Sequence, residues 1–393
     1  MKWSPQQDAA LKAVDRWLKD DTSQVFRLFG YAGTGKTTLA KHLAQDVSGR
    51  VLFGAYTGKA AHVLQKKGCP AQTIHSMIYI PKGKSAERLR RLEITLKKLL
   101  DDEAEPGAID QVRRELEEEQ ANLKRPAFTL NIDSPVRDAE LVVIDECSMV
   151  DERMGEDLLQ FGAKVLVLGD PAQLPPVRGG GFFTNREPDA LLTEIHRQAS
   201  GNPIIDLATA VRCGENLTLG TYGDSKVVRE IDAADAEGAD QIIVGMNKTR
   251  RLVNQRMRQL LGHEGVAPCA GERLVCLRNN HDLGLLNGSI WYTEEVYGDA
   301  DELVAMNLRP EDEQWHQEVV AHLAIFAGEE LDHWTRLEAE EFDFGYALTC
   351  HKSQGSQWDN VLIFDESEVF RHNARRWLYT AITRASERVT VKV

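Results

Sequence analysis

The sequence predicts an α/β protein with two cores, each a parallel sheet covered by helices. Three observations carry that prediction. First, a short apolar strand, Val25-Phe26-Arg27-Leu28-Phe29, runs into a glycine-rich loop and a helix, and a second strand follows over Val51 to Ala55. This strand-loop-helix-strand opening belongs to a parallel sheet. Second, Leu141-Val142-Val143-Ile144 and Lys164-Val165-Leu166-Val167-Leu168 are short runs rich in apolar residues, as strands buried on both faces should be. Third, strand-like runs return after residue 200, at Gln241 to Val244 and Asn360 to Phe364, and 393 residues exceed what one core ordinarily holds.

The remaining elements follow in chain order. Residues 4–20 place Ala10, Leu11, Val14, Trp17 and Leu18 at helical spacing, with Ser4 as the cap and Pro5 in the first turn. Thr37 to Val47 forms the helix after the glycine loop. Residues 82–126 carry equal numbers of acids and bases. Leu89, Leu92, Leu96 and Leu99, then Ile109, Val112, Leu116 and Leu123, recur at helical steps on either side of Pro106-Gly107. That pattern predicts two charged antiparallel helices; a solvated insertion without fixed structure is the alternative. Residues 272–343 read as a smaller β-rich insertion into the second core, with an acidic tail at Glu338 to Asp343.

Composition narrows the class. With 42% hydrophobic and 27% charged residues the chain is globular. It has no apolar run long enough to span a membrane, and its start lacks the pattern of a signal peptide, so a cytoplasmic protein is expected. Six cysteines form no C-x-x-C pair, so reduced thiols are expected in place of a zinc site or disulfides. A net charge of −14 argues against wholesale attachment to nucleic acid but permits a local basic groove.

Chemistry concentrates in a few motifs. Gly30-Tyr31-Ala32-Gly33-Thr34-Gly35-Lys36-Thr37 matches the P-loop pattern between a strand and a helix. Its glycines turn backbone amides toward phosphate oxygens. Lys36 is suited to the β- and γ-phosphates and the Thr37 hydroxyl to magnesium, so ATP and Mg2+ are the expected ligands. Asp145 ends an apolar strand and suits the magnesium shell; Glu146 beside it suits the attacking water as a base. In Gly169-Asp170-Pro171-Ala172-Gln173, the Gln173 amide can bond a γ-phosphate or its attacking water. Arg197 and Arg384 offer the fixed fork that matches phosphate, although each taken alone is better read as a surface ion pair.

In this order the motifs resemble superfamily 1 helicases, and most closely the 5′-to-3′ branch (1B) containing RecD and Dda. Gln7 in Trp3-Ser4-Pro5-Gln6-Gln7 is similar to that family's adenine-reading glutamine. Ala55-Tyr56-Thr57-Gly58-Lys59-Ala60-Ala61 and Thr73-Ile74-His75-Ser76 resemble its single-strand contacts Ia and Ib. Asp145 to Met149 and Gly169 to Gln173 resemble motifs II and III, Tyr346 to Gly355 motif V, and Tyr379 to Arg384 motif VI. The likeness is poor over 82–126 and 295–343. Tyr56 stands where the family often has proline, and Gln357 where a glutamate often follows motif V.

The resemblance implies two RecA-like lobes with ATP between them. Residues 1–78 and 136–198 would form lobe 1, and 199–271 with 344–393 lobe 2. Residues 79–135 would be a pin bearing the helical hairpin, on strands 78–81 and 127–130, and 272–343 an SH3-like insertion over the DNA. Lys36, Glu146, Gln173, Arg197 and Arg384 would be catalytic, the two arginines as fingers. The nucleotide would meet Gln7, Gly30, Ala32, Gly33, Thr34, Gly35, Lys36, Thr37 and Thr38, and magnesium Thr37 and Asp145. DNA contacts would come from Tyr56, Thr57, Gly58, Lys59, Thr73, His75, Ser76, Pro81, Phe128, Asn247, Thr349, His351 and Lys352. The expected activity is ATP-driven 5′-to-3′ movement on single-stranded DNA and unwinding of forked duplex by a monomer of phage or bacterial origin. Residues 86–124 are expected to meet the displaced strand or a replication or recombination partner. Trp291, Trp315 and Trp334 are expected mostly in core. Alternatives are an RNA-directed helicase and the motor subunit of a recombination or repair complex. No nuclease cluster is visible.

Overall fold

The computed structural model describes residues 3–20, 22–81, 86–101, 106–124, 128–176, 181–194, 201–280, 282–300, 302–311, 313–332 and 335–393. Arg197 and Trp334 lie outside them. The chain divides into two compact units, Met1–Ile74 with Val136–Val393, and His75–Pro135.

The larger unit opens with α1 (Pro5–Lys19), fixed by a capping box: the Ser4 hydroxyl accepts from Gln7 N, and Ser4 N donates to Gln7 Oε1. Next come β1 (Val25–Gly30), α2 (Lys36–Gln45), β2 (Val51–Ala55), α3 (Gly58–Lys66) and β3 (Ala71–Thr73), then β4 (Leu141–Asp145), β5 (Lys164–Gly169) and β6 (Ala190–Leu192). They pair in the order β3-β2-β4-β5-β1-β6, all parallel. Leu141, Val142, Val143 and Ile144 are fully buried, as are Val165, Leu166, Val167 and Leu168, which is why these strands read as continuous apolar runs. Parallel pairing has a functional consequence. The glycine loop after β1, the acids ending β4 and Asp170 after β5 all emerge at one edge of the sheet.

The second sheet follows α4 (Pro203–Cys213). Its strands are β7 (Gly220–Tyr222), β8 (Ser225–Val228), β9 (Gln241–Val244), β10 (Ala347–Thr349), β11 (Trp358–Phe364) and β12 (Ala385–Lys392), with α5 (Asn247–Leu260) after β9 and α6 (Ala374–Ile382) before β12. The order is β10-β9-β11-β12-β8-β7, parallel except for the last pair. A five-stranded antiparallel sheet built from residues 273–344 is inserted between β9 and β10 in sequence. The alternation of strand side chains joins the two sheets. Ile243, Val361 and Ile363 face the core shared with α4 and α6, whereas Ile242, Val244 and Leu362 face a core shared with Leu274, Trp291, Met306 and Phe342. Trp291 is thus core, as expected. Trp315 packs edge-on against it at 5.2 Å but stays partly exposed.

In the smaller unit, Tyr79–Pro81 and Phe128–Leu130 pair antiparallel, and helices Ala86–Asp101 and Pro106–Lys124 pack on each other. The helical hairpin and its two flanking strands are therefore present as expected. His75 lies edge-on to Phe128 at 4.4 Å and 4.6 Å from Tyr79.

Among the described residues no helix is long and apolar enough to cross a membrane. The cysteines are unpaired. His263, Cys269 and Glu272 lie close enough to share a metal ion. The Glu272 carboxylate, however, accepts from Arg258 Nε at 2.7 Å, Arg258 Nη2 at 2.9 Å and Cys269 N at 2.8 Å, so it braces α5 against the inserted sheet.

Candidate nucleotide-binding cleft

The glycine loop turns as its sequence demands. Gly33 and Gly35 have φ of 77° and 81°, a region that side chains with a Cβ resist. Gly30 leaves no room either: a Cβ there would sit 2.6 Å from Thr34 Oγ1. Lys36 Nζ donates to the carbonyls of Gly30 at 2.7 Å and Tyr31 at 3.1 Å, which folds the ammonium over the first residues of the loop. Thr37 Oγ1 donates to Asp145 Oδ2 at 3.0 Å, so the two expected magnesium residues meet from α2 and β4. Thr38, the next residue of α2, is exposed.

Burial raises the Asp145 carboxyl above the ordinary range, and the neighbouring Glu146 charge raises it further. Glu146 itself sits at φ 52°, ψ 46°. A non-glycine residue held left-handed costs on the order of 1–3 kcal/mol and persists only where its surroundings impose it. Here Asp145 Oδ1 accepts from Glu146 N at 2.9 Å. Asp145 thus serves Thr37 with one oxygen and the turn at Glu146 with the other.

Gln7, expected to read adenine, is held by α1 and by the glycine loop. Its Oε1 serves the capping box, and its Nε2 donates to Thr34 O at 3.0 Å. With both ends engaged and the side chain buried, it braces the glycine loop from α1. The neighbouring Gln6, given no role by sequence reasoning, accepts from Thr193 N and Glu194 N and anchors the chain after β6.

The second sheet reaches the loop through side chains that sequence reasoning also left without roles. Tyr379 Oη accepts from Ala32 N at 2.9 Å and donates to Asp170 Oδ2 at 2.6 Å. Burial, then the Asp170 charge, pushes the phenol far above its ordinary range, so it stays protonated. Thr380 Oγ1 accepts from Leu174 N at 2.8 Å, and Gln354 Nε2 donates to Leu174 O at 2.7 Å. Leu174 itself is buried in the core of the second sheet. Between these anchors, Gln173 Oε1 is buried with no hydrogen-bond partner among the described residues. From α4, the Arg212 guanidinium stacks 3.8 Å over the Tyr31 ring. Arg384 is elsewhere. It is buried, and its nitrogens donate to Thr380 O at 3.1 Å, Ser356 O at 3.1 Å and Thr383 Oγ1 at 3.3 Å, none of them in the glycine loop.

The expected strand contacts separate into several groups. Thr57 caps α3 by accepting from Ala60 N at 3.1 Å, and Gly58 packs against Leu286 of the inserted region. Lys59 lies 3.9 Å from Glu311 and 4.6 Å above the Trp358 ring. Tyr56 is half-buried, with its phenol raised by burial and then by Asp151. Thr73 is buried at the end of β3. Thr349 Oγ1 accepts from Lys352 N at 3.4 Å, and Lys352 Nζ donates to Asn287. Burial lowers His351, whose ring meets the Pro175 carbonyl. Asn247 is exposed at the first residue of α5. His75, Ser76, Pro81 and Phe128 belong to the smaller unit.

Two parallel sheets, with a P-loop on one held by side chains of the other, define a two-lobed P-loop protein of RecA-like architecture. Residues 2–233 match the family described as AAA domain, and the chain belongs to that family. Residues 344–391 match the UvrD-like helicase C-terminal domain. Among curated proteins, the ATP-dependent RecD2 DNA helicase of Deinococcus radiodurans is 27% identical over 92% of this chain and 46% of its own length. The RecBCD enzyme subunit RecD of Mycobacterium tuberculosis is 28% identical over 93% of this chain and 66% of its own. The conjugal transfer protein TraA of Rhizobium radiobacter is 26% identical over 98% of this chain and 32% of its own. The chain thus spans 32–66% of the length of these relatives. Bacteroides Pif1 bound to single-stranded DNA has the same fold, with a TM-score of 0.55, 17% identity and coverage of 100% of this chain and 92% of that one. Candida albicans Pif1 gives a TM-score of 0.53 at 17% identity, covering 100% and 95%. The chain is a superfamily 1B protein of the RecD kind.

Proposed function

We propose that this protein is an ATP-driven motor that moves 5′ to 3′ along single-stranded DNA and unwinds forked duplex. The observation that carries the reading is the junction at the glycine loop. Thr37 and Asp145 meet on one side of it, and Tyr379 of the second lobe bonds its backbone on the other. A nucleotide bound there touches both lobes, so its hydrolysis changes how they fit together. The residues suit the ligand: left-handed glycines open a cradle for phosphates, and a hydroxyl beside a carboxylate is a hard oxygen pair of the kind magnesium takes. Magnesium held there neutralises charge on the phosphate oxygens.

In this reading Lys36 binds the β- and γ-phosphates, Glu146 takes a proton from the attacking water and Gln173 orients it. Arg384 and Arg197 are assigned to the developing phosphoryl charge on motif order, and Arg384 must exchange its carbonyl partners to reach it. The two parallel sheets are the motor lobes. Residues 79–135 form the pin, and 272–343 the SH3-like cover over the strand. The grip on DNA falls to residues 56–59, 73–76, 247 and 349–352, with Pro81 and Phe128 on the pin.

An ATPase assay with single-stranded DNA, single-stranded RNA and neither tests the reading. DNA-stimulated turnover is expected; equal rates in all three would sink it. Fork substrates with 5′ or 3′ tails test direction, and unwinding only from a 3′ tail would show the polarity to be wrong. Because the relatives are longer, a second reading is that this motor serves a larger recombination or repair assembly. Residues 86–124 are then a contact for the displaced strand or a partner. Deleting them should impair unwinding or partner capture, and leaving both intact refutes that role.

A further inference from the structure

We infer that Tyr379 is the positioning residue through which the second lobe senses the γ-phosphate end of the nucleotide, acting on the Ala32 amide and on Asp170 with one hydroxyl. The inference rests on the ATPase reading above and goes beyond it. In that reading Tyr379 only joins the second lobe to the loop, and neither it nor Asp170 has a part in sensing the nucleotide.

Three observations support it. The first is location. Lys36 Nζ lies on the carbonyls of Gly30 and Tyr31, and the P-loop lysine serves the β- and γ-phosphates. Ala32 N, the next donor along the chain, is therefore at the γ end of the cradle. The second is connectivity. The same hydroxyl that accepts from Ala32 N donates to Asp170 Oδ2, and Asp170 Oδ1 accepts from Ala172 N at 2.9 Å. Asp170 thereby shapes the turn that carries Gln173, whose backbone N donates to Asp170 O at 3.1 Å. The third is reach. Residues 170–175 are also held by Thr380, by Gln354 and by the His351 ring. His351 belongs to the segment assigned to the strand, and Gln354 lies two residues beyond that segment.

The chemistry follows from the hydroxyl's protonation. A buried carboxylate needs a donor, and a phenol with a strongly raised pKa supplies one without ionising. The phenol's lone pair then takes the amide. A γ-phosphate oxygen competes for that same amide, and any change in the amide's partner is felt at Asp170 and hence at Gln173. Arg212, stacked over Tyr31, holds the residue that precedes Ala32 in the loop.

The test is Tyr379→Phe, which keeps the ring and removes the hydroxyl. With saturating oligo(dT), kcat for ATP should fall more than about fivefold, roughly 1 kcal/mol or more. The affinity for fluorescent ADP should stay within about threefold, because ADP lacks the γ-phosphate. A smaller fall in kcat, or parallel losses in kcat and ADP affinity, overturns the inference. Asp170→Asn in the Tyr379→Phe background should cost little more, and additive losses also overturn it. If Tyr379→Phe melts below the assay temperature, Asp170→Asn alone keeps the size and an acceptor, and the same split between kcat and ADP affinity decides. Wild-type hydrolysis judges the ATPase reading; the ratio of variant to wild type judges Tyr379.

Discussion

The Thr37–Asp145–Glu146 corner and the Tyr379–Arg384 segment were recognised by the same kind of motif, and the structure treats them differently. In the first, the hydroxyl meets the carboxylate at 3.0 Å, and the second acid follows on a left-handed backbone. In the second, the arginine expected to face phosphate bonds carbonyls of its own lobe, while a tyrosine with no expected role reaches the glycine loop. The first corner sits on neighbouring parts of one sheet, whose geometry the strand pattern already dictates. The second acts across two cores, where the choice of partner depends on packing.

The largest effect should come from the well-placed corner. Glu146→Gln should lower kcat by about 10²–10⁴-fold while ATP still binds in a filter assay. Wild-type turnover in this variant would remove Glu146 as the base. Arg384→Ala probes the other side. Removing the donor to Ser356 O, and leaving Thr380 O with Thr383 Oγ1 alone, should cost about 1–3 kcal/mol in urea unfolding. On the finger assignment kcat of the folded fraction also falls by about 10³-fold. A stability loss with unchanged kcat takes Arg384 out of the chemistry and leaves the second lobe to Tyr379.

Lys36→Ala should weaken ATP binding by about 10–100-fold in a fluorescence titration, from the loss of one or two charge-assisted bonds. Lys59→Ala is expected to lower affinity for single-stranded DNA a few-fold and to flatten the salt dependence by about one phosphate contact. An unchanged salt slope would mean that Lys59 stays with Glu311 and Trp358. The smallest effect concerns His351. Burial lowers its pKa from the ordinary 6.5, so the folded protein favours the neutral ring. Stability is intact above the unfolded value and is lost as pH falls through it. His351→Gln should therefore show a shallower drop in melting temperature between about pH 6.5 and 5. An identical acid slope would show that the ring is not the group responsible.

Much of the fold was legible because strand burial and helix periodicity are local signals. The runs at 141–144 and 164–168 read as buried strands and are buried strands. The capping box at Ser4 follows from a serine three residues before a glutamine. The helical hairpin followed from leucine spacing on both sides of Pro106-Gly107. The site was less legible. Gln7 has the residue type of an adenine reader, yet the box that starts its helix takes its oxygen and the P-loop its nitrogen. Nothing in the spacing of Gln6, Gln354 or Tyr379 announces a partner 187, 180 or 209 residues away. The one available signal was a polar aromatic inside the apolar run Leu378 to Ile382, which marks a hydroxyl that needs a buried partner.

By itself, the sequence determined the glycine loop, the strands that aim it, the acids at one edge of the same sheet and the existence of a second core. These depend on residue type and short-range period, which the backbone translates directly into shape. Only the tertiary structure decided which atoms of the second lobe touch the loop. A buried donor must find an acceptor wherever packing brings one, and that pairing is set by two cores closing on each other.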